Sequence, residues 1–221
     1  MRRQLSLITV LALLFGLIIS TAARADTTLG STAQPSGSTL GTCAGSAIAQ
    51  VSSDPSTPYT VPSSGTIAAW QVNTFAATPG APVTLVVLRP VGGPSYSVVG
   101  ADTHAVPNPL PGIASFTVPS PIAVTSGELL ALYSPGTGVV CFFHHGSTPA
   151  ADALFATAAI GAPAAGQTLV ANETSGAGFT LNLAATLKPP AHKKKCKKKK
   201  KKKHSAESAK KNKCKKKKKK G

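Results

Sequence analysis

The chain has 221 residues, a formal net charge of +17, and 20 glycines with 18 prolines. Its charge is segregated: in residues 26–187 the single cation Arg89 stands against Asp26, Asp54, Asp102, Glu128, Asp152 and Glu173, a net of −5, whereas residues 188–221 set 20 lysines against Glu207, a net of +19. A body with that balance is excluded from the class of sequence-specific nucleic-acid readers, which carry their cations on the folded face.

The N-terminus reads as a cleavable signal peptide, residues 1–25. Arg2 and Arg3 precede an apolar run, Leu5–Ile19, interrupted by Ser6, Thr9 and Gly16, and Ala23-Arg24-Ala25 supplies a small-x-small cleavage site before Asp26. The run is shorter than the ~20 residues of a membrane-spanning helix, so a retained anchor is the lesser alternative. The paired arginines hint at twin-arginine export, but the rest of that pattern is incomplete and general secretion fits better. No cysteine follows the cut, which argues against a lipid anchor.

Residues 26–187, about 160 in number, suffice for one domain with its own core. Short apolar stretches alternate with turn residues throughout. Strands are expected at Thr27–Ser31, Ala47–Ser52, Thr66–Phe75, Tyr96–Val99, Glu128–Tyr133 and Val139–Phe143. Val83–Leu88 is a continuous β-branched apolar run, the pattern of a strand covered on both faces. Ile113–Val118 alternates, with Ala114, Phe116 and Val118 opposed to Ser115 and Thr117. Phe179–Leu187 does the same, with Phe179, Leu181, Leu183, Ala185 and Leu187 on one side and Thr180, Asn182 and Thr186 on the other. Pro149–Ile160 is Ala-rich and fits a helical turn as well as a strand. Turns fall at Pro62–Gly65, Pro79-Gly80, Pro90 with Gly92-Gly93-Pro94, Pro107–Pro111 and Ser134–Gly136. Such spacing predicts an all-β, antiparallel sandwich, jelly-roll-like first and immunoglobulin-like second.

Residues 188–221 form a low-complexity tail. Lys188-Pro189-Pro190 ends the last strand. The lysines then are Lys193, Lys194, Lys195, Lys197, Lys198, Lys199, Lys200, Lys201, Lys202, Lys203, Lys210, Lys211, Lys213, Lys215, Lys216, Lys217, Lys218, Lys219 and Lys220. Charge this dense repels itself and carries almost no apolar surface, so the tail is expected to be disordered. Outside a cell its partners are polyanions: anionic cell-wall polymers, anionic lipid, acidic polysaccharide and released nucleic acid. Each lysine near an anionic membrane contributes about 1 kcal/mol before screening. The plainer alternative is a solvated charge run. His192, Cys196, His204 and Cys214 superficially suggest zinc, but the surrounding cations oppose a divalent ion. The same cations lower thiol pKa values and favour a disulfide of Cys196 and Cys214, within one tail or between two.

Across residues 27–187 the features Thr28-Leu29-Gly30, Cys43, Pro58-Tyr59-Thr60-Val61-Pro62 with Gly65 and Trp70, Ser126-Gly127-Glu128-Leu129-Leu130, and Leu181-Asn182-Leu183-x-Ala185 occur in that order. In them the chain resembles a group of secreted β-sandwich proteins of uncharacterised activity from high-GC Gram-positive bacteria. The resemblance implies a secreted sandwich and transfers no active site.

Cys43 and Cys141 are the only cysteines of the body and, in an oxidising exterior, are expected to pair. The sharper alternative joins Cys141 to His144 and His145 as metal ligands, yet adjacent strand residues point to opposite faces. No metal or cofactor is therefore expected. Catalytic signals are thin. Glu128, after Ser126-Gly127, and Glu173, in Asn172–Gly176, read as solvated loop charges. No Gly-x-Ser-x-Gly or His-Glu-x-x-His motif occurs. A glycan-binding surface would draw on Trp70, Tyr59, Tyr96 and Tyr133, although Trp70 reads as core with its indole N–H on a backbone partner. The sequence thus points to a secreted, non-enzymatic protein held at the cell envelope by its tail. A carbohydrate-binding or adhesive module is the alternative, and an extracellular hydrolase the third reading.

Overall fold

The structure is a computed structural model that describes residues 25–52, 58–146, 153–158, 161–174 and 178–190. The expected signal peptide, apart from Ala25, and the tail from residue 191 onward lie outside the described residues. The chain divides into units of residues 1–190 and 191–221, and all the strands below belong to the first.

In chain order the strands are β1 (Thr27–Ser31), β2 (Thr39–Thr42), β3 (Ala47–Ser52), β4 (Gly65–Asn73), β5 (Pro82–Gly92), β6 (Ser95–Ala105) and β7 (Ile113–Val124). They continue with β8 (Leu129–Tyr133), β9 (Val140–His144), β10 (Ala153–Thr157), β11 (Thr168–Thr174), β12 (Phe179–Leu181) and β13 (Leu183–Lys188). All ladders between these strands are antiparallel. No helix occurs among the described residues. The all-β, antiparallel expectation holds.

The apolar run Val83–Leu88 lies in β5, which pairs with β6 on one edge and β8 on the other, and both of its faces are buried. Val83, Leu85 and Val87 join Ile67, Trp70, Phe116, Leu130, Leu132 and Leu183 in one core. Val86 and Leu88 join Ala47, Ala49, Val98, Leu129, Ala131, Phe155 and Leu169 in a second. Two cores exist because the sheet that carries β5 closes on itself. The ring order is β10-β11-β6-β5-β8-β3, with β3 paired back to β10. The second core fills that barrel. The first lies between the wall β5–β8–β3 and a four-stranded sheet, β1-β13-β4-β7. A three-stranded sheet, β12-β9-β2, completes the body. This departs from a plain two-sheet sandwich. Closure pairs β10 with both β3 and β11 and gives each of the six ring strands two neighbours.

Burial is the main driving force, since each fully buried Leu, Val or Phe contributes roughly 1.5–3 kcal/mol. In β7, Ala114, Phe116 and Val118 are buried and Ser115 and Thr117 exposed, as the alternation predicts. The strand runs on to Val124 despite Pro119 and Pro121. Its partners on β4 pass from Ala69↔Thr117 to Ile67↔Ile122, so the prolines sit in a bulge where no ladder donor is required. The open stretch Pro149–Ile160 contributes a strand, β10, and its remainder apart from Ala158 lies outside the described residues.

The final expected strand is broken at Asn182, where the chain passes from the three-stranded sheet to the four-stranded one. Asn182 does not face outward as the alternation predicts; it is wholly buried. Its Nδ2 donates to the carbonyls of Asn73 and Val140 at 2.8 Å each, and its Oδ1 accepts from the Asn73 N–H at 2.9 Å. One side chain thereby joins β4 and β9. Asn182→Ala is expected to cost about 3 kcal/mol, because the buried Val140 carbonyl and the half-buried N–H and carbonyl of Asn73 lose a partner at 1–3 kcal/mol each with partial relaxation. Urea unfolding measures it, and a loss below about 1 kcal/mol would contradict the bridging role.

Candidate functional site

Cys43, just after β2, and Cys141, on β9, form a disulfide with Cα atoms 5.5 Å apart. Both are buried. The bridge fixes the three-stranded sheet beside the start of β3. Cys141 is therefore committed to sulfur, and the imidazoles that follow it diverge. His144 stacks on Phe179 with ring centroids 4.4 Å apart, whereas His145 Nε2 meets Thr180 Oγ1 at 3.0 Å. Phe179 and Thr180 are consecutive on β12, so the two histidines occupy opposite faces. Among the described residues no cluster of three His, Cys, Asp or Glu is placed to hold a metal.

The two glutamates differ. Glu128 is not a solvated loop charge; it is 1% exposed. Arg89 Nε and a terminal Arg89 nitrogen donate to its Oε1 at 2.9 and 2.6 Å. The Thr125 hydroxyl donates to Oε1 and the Thr125 N–H to Oε2. A carboxylate that accepts four hydrogen bonds, two of them from a guanidinium, is a structural anchor, and these bonds offset the cost of its burial. Glu173 is exposed as expected, but on strand β11 opposite Ala156 and not in a loop.

The expected aromatic platform is not assembled. Trp70, Tyr59 and Tyr133 are 1%, 1% and 3% exposed, and the half-buried Tyr96 stacks on Phe155 at 4.5 Å. Tyr59 holds the β1–β12 junction: its hydroxyl donates to Leu181 O at 2.6 Å and accepts from the Ser31 N–H at 3.0 Å. The Trp70 indole N–H donates to a carboxylate, Asp102 Oδ2 at 2.7 Å, and not to the backbone. The same oxygen meets His104 Nε2 at 2.9 Å, and the imidazole stacks on Phe116 at 4.6 Å. Sequence reasoning missed this Asp–His pair. The spacing Asp102-x-His104 on one strand places both on one face and was the available signal. Asp102 satisfies a buried indole where β6 leans on the four-stranded sheet, which is a packing role.

Two hollows remain. One, of about 270 Å³, is lined by Ala25, Thr27, Ser63, Leu187 and Pro189, and the expected signal cleavage alters it by removing Ala25. The other, of about 200 Å³, is a groove between β2–β9 and β3–β10. Thr42, Ser46, Ile48, Phe142 and Leu154 line it over the disulfide, with Glu173 also on its wall. Gly41 makes room for it, since a Cβ there would overlap the Phe142 ring. Phe179 supports that ring from the side, at 5.7 Å between centroids. On the far side of β12, the buried Gln50 imitates a neighbouring strand: it donates to Phe179 O at 2.9 Å and accepts from the Leu181 N–H at 2.8 Å. Glu128 is not among the residues lining either hollow. The nineteen tail lysines, Cys196 and Cys214 lie outside the described residues.

No protein-family model, curated protein or solved structure matches the chain.

Proposed function

We propose that the chain is an exported, non-enzymatic protein whose all-β body is held at the cell envelope by adsorption of its polylysine tail to anionic polymers or lipid. The separation of charge carries this reading: −5 in residues 26–187 against +19 in residues 188–221. Its support deepens with Arg89, the one cation of the body, whose charge is spent on the buried Glu128. Attraction to polyanions thus falls to the tail. The Cys43–Cys141 bridge supports export, because such bonds persist in oxidising compartments. The packing of the four-stranded sheet on the β5–β8–β3 wall supports a jelly-roll-like sandwich with its second sheet curled shut, in keeping with the secreted sandwich proteins the sequence resembles. Tail cysteines Cys196 and Cys214 would add covalent links within or between tails.

Fractionation of the producing cells tests the proposal. The native protein is expected with the wall or membrane, and a chain ending at Pro190 in the medium. Equal partition of the two forms would move the anchoring role to the body.

A further inference from the structure

We propose that the groove over the disulfide binds an alkylammonium group. Its walls are Ile48, Leu154 and the Phe142 ring; the polar groups that reach it are the Thr42 and Ser46 hydroxyls and the exposed Glu173 carboxylate. None of those three side chains is hydrogen-bonded to another described side chain. No cation lines the groove, and Arg89 is already engaged by Glu128. An apolar trough with a lone carboxylate fits a ligand that is greasy and positive at once. Methyl or methylene groups displace water from Ile48 and Leu154, while the charge meets the Glu173 carboxylate beside the Phe142 ring.

The site is held in shape before any ligand arrives. Gly41 allows the Phe142 ring to lie against β2, Phe179 supports it, and the disulfide fixes the floor. The Ala156↔Glu173 pairing of β10 and β11 brings the carboxylate beside the apolar wall. Such preorganisation reduces the ordering cost of a small ligand. The inference concerns the body alone and does not depend on the role of the tail.

Choline is the probe, because its N-methyl protons are distinct from any lysine signal in saturation-transfer NMR on the full mature chain. Its neutral isostere 3,3-dimethylbutan-1-ol and glucose are the comparison ligands. Choline is expected to bind saturably in the millimolar range, as suits a ligand of so few heavy atoms. The isostere should bind about fivefold more weakly, and Glu173→Gln should weaken choline by a similar factor without affecting the isostere. Because Glu173 is exposed, that variant keeps the fold, and an unchanged melting temperature checks this. No saturable choline binding, equal binding of choline and isostere, or indifference to Glu173→Gln would overturn the proposal. Glucose bound more tightly than choline would also overturn it and assign the groove to a glycan.

Discussion

Replacing Cys43 and Cys141 together by alanine is expected to lower the unfolding free energy by about 4–5 kcal/mol, the loss of a cross-link closing a loop of that size. The cysteines are 98 residues apart in sequence, so the bridge restricts more than half of the body in the unfolded chain. In the folded protein it ties β9 to the segment between β2 and β3, the junction of the small sheet with the barrel. Both sulfurs are buried, so alanine also leaves a small void. With a urea slope of about 2 kcal/mol per molar, the midpoint should fall by about 2 M. The double variant is the informative one, since a single replacement leaves a reactive thiol. A midpoint shift below about 0.5 M would mean that the three-stranded sheet holds its place without the bridge.

Changing all nineteen lysines from Lys193 to Lys220 to glutamine is expected to abolish adsorption to anionic surfaces. If only five of them engage at once, at about 1 kcal/mol each, the lost affinity is already about a thousandfold or more. Glutamine keeps length and polarity, so the change isolates charge. Adsorption of the glutamine variant within about tenfold of the native chain would transfer the contact to the body.

Much of the fold is legible where local pattern and tertiary environment agree. β1 and β3 fall at their expected bounds, and the alternation of Ala114, Phe116 and Val118 reports burial residue by residue. Val83–Leu88 reads as covered on both faces, and it is. Two strands escaped. β2 has no buried residue, and Leu169 is the only buried one in β11, so neither carries an apolar period. Closure of the barrel is equally silent, because it rests on pairing β10 with β3, a contact remote in sequence.

The site residues divide the same way. The cysteine pair is readable by count. Glu128 is misread because its neighbours Ser126 and Gly127 suggest solvent, while the partner that buries it, Arg89, lies 39 residues upstream. Asn182 obeys a period of two but sits where the chain changes sheets, and there the outward side of one strand is the inside of a junction. Asp102 pairs with Trp70 across 32 residues. The groove draws its lining from four separate stretches of chain, and only the folded arrangement brings Phe142 and Glu173 to the same hollow.

Salt titration of binding to anionic vesicles, comparing the native tail with a scrambled one of the same composition, tests the central claim most directly. Many weak point charges act through a screened field, so affinity should fall steeply as salt rises through the physiological range and should vanish near molar salt. It should not depend on lysine order, and the two curves should superimpose. Binding that survives molar salt, or that is lost when the tail is scrambled, would contradict retention by charge alone.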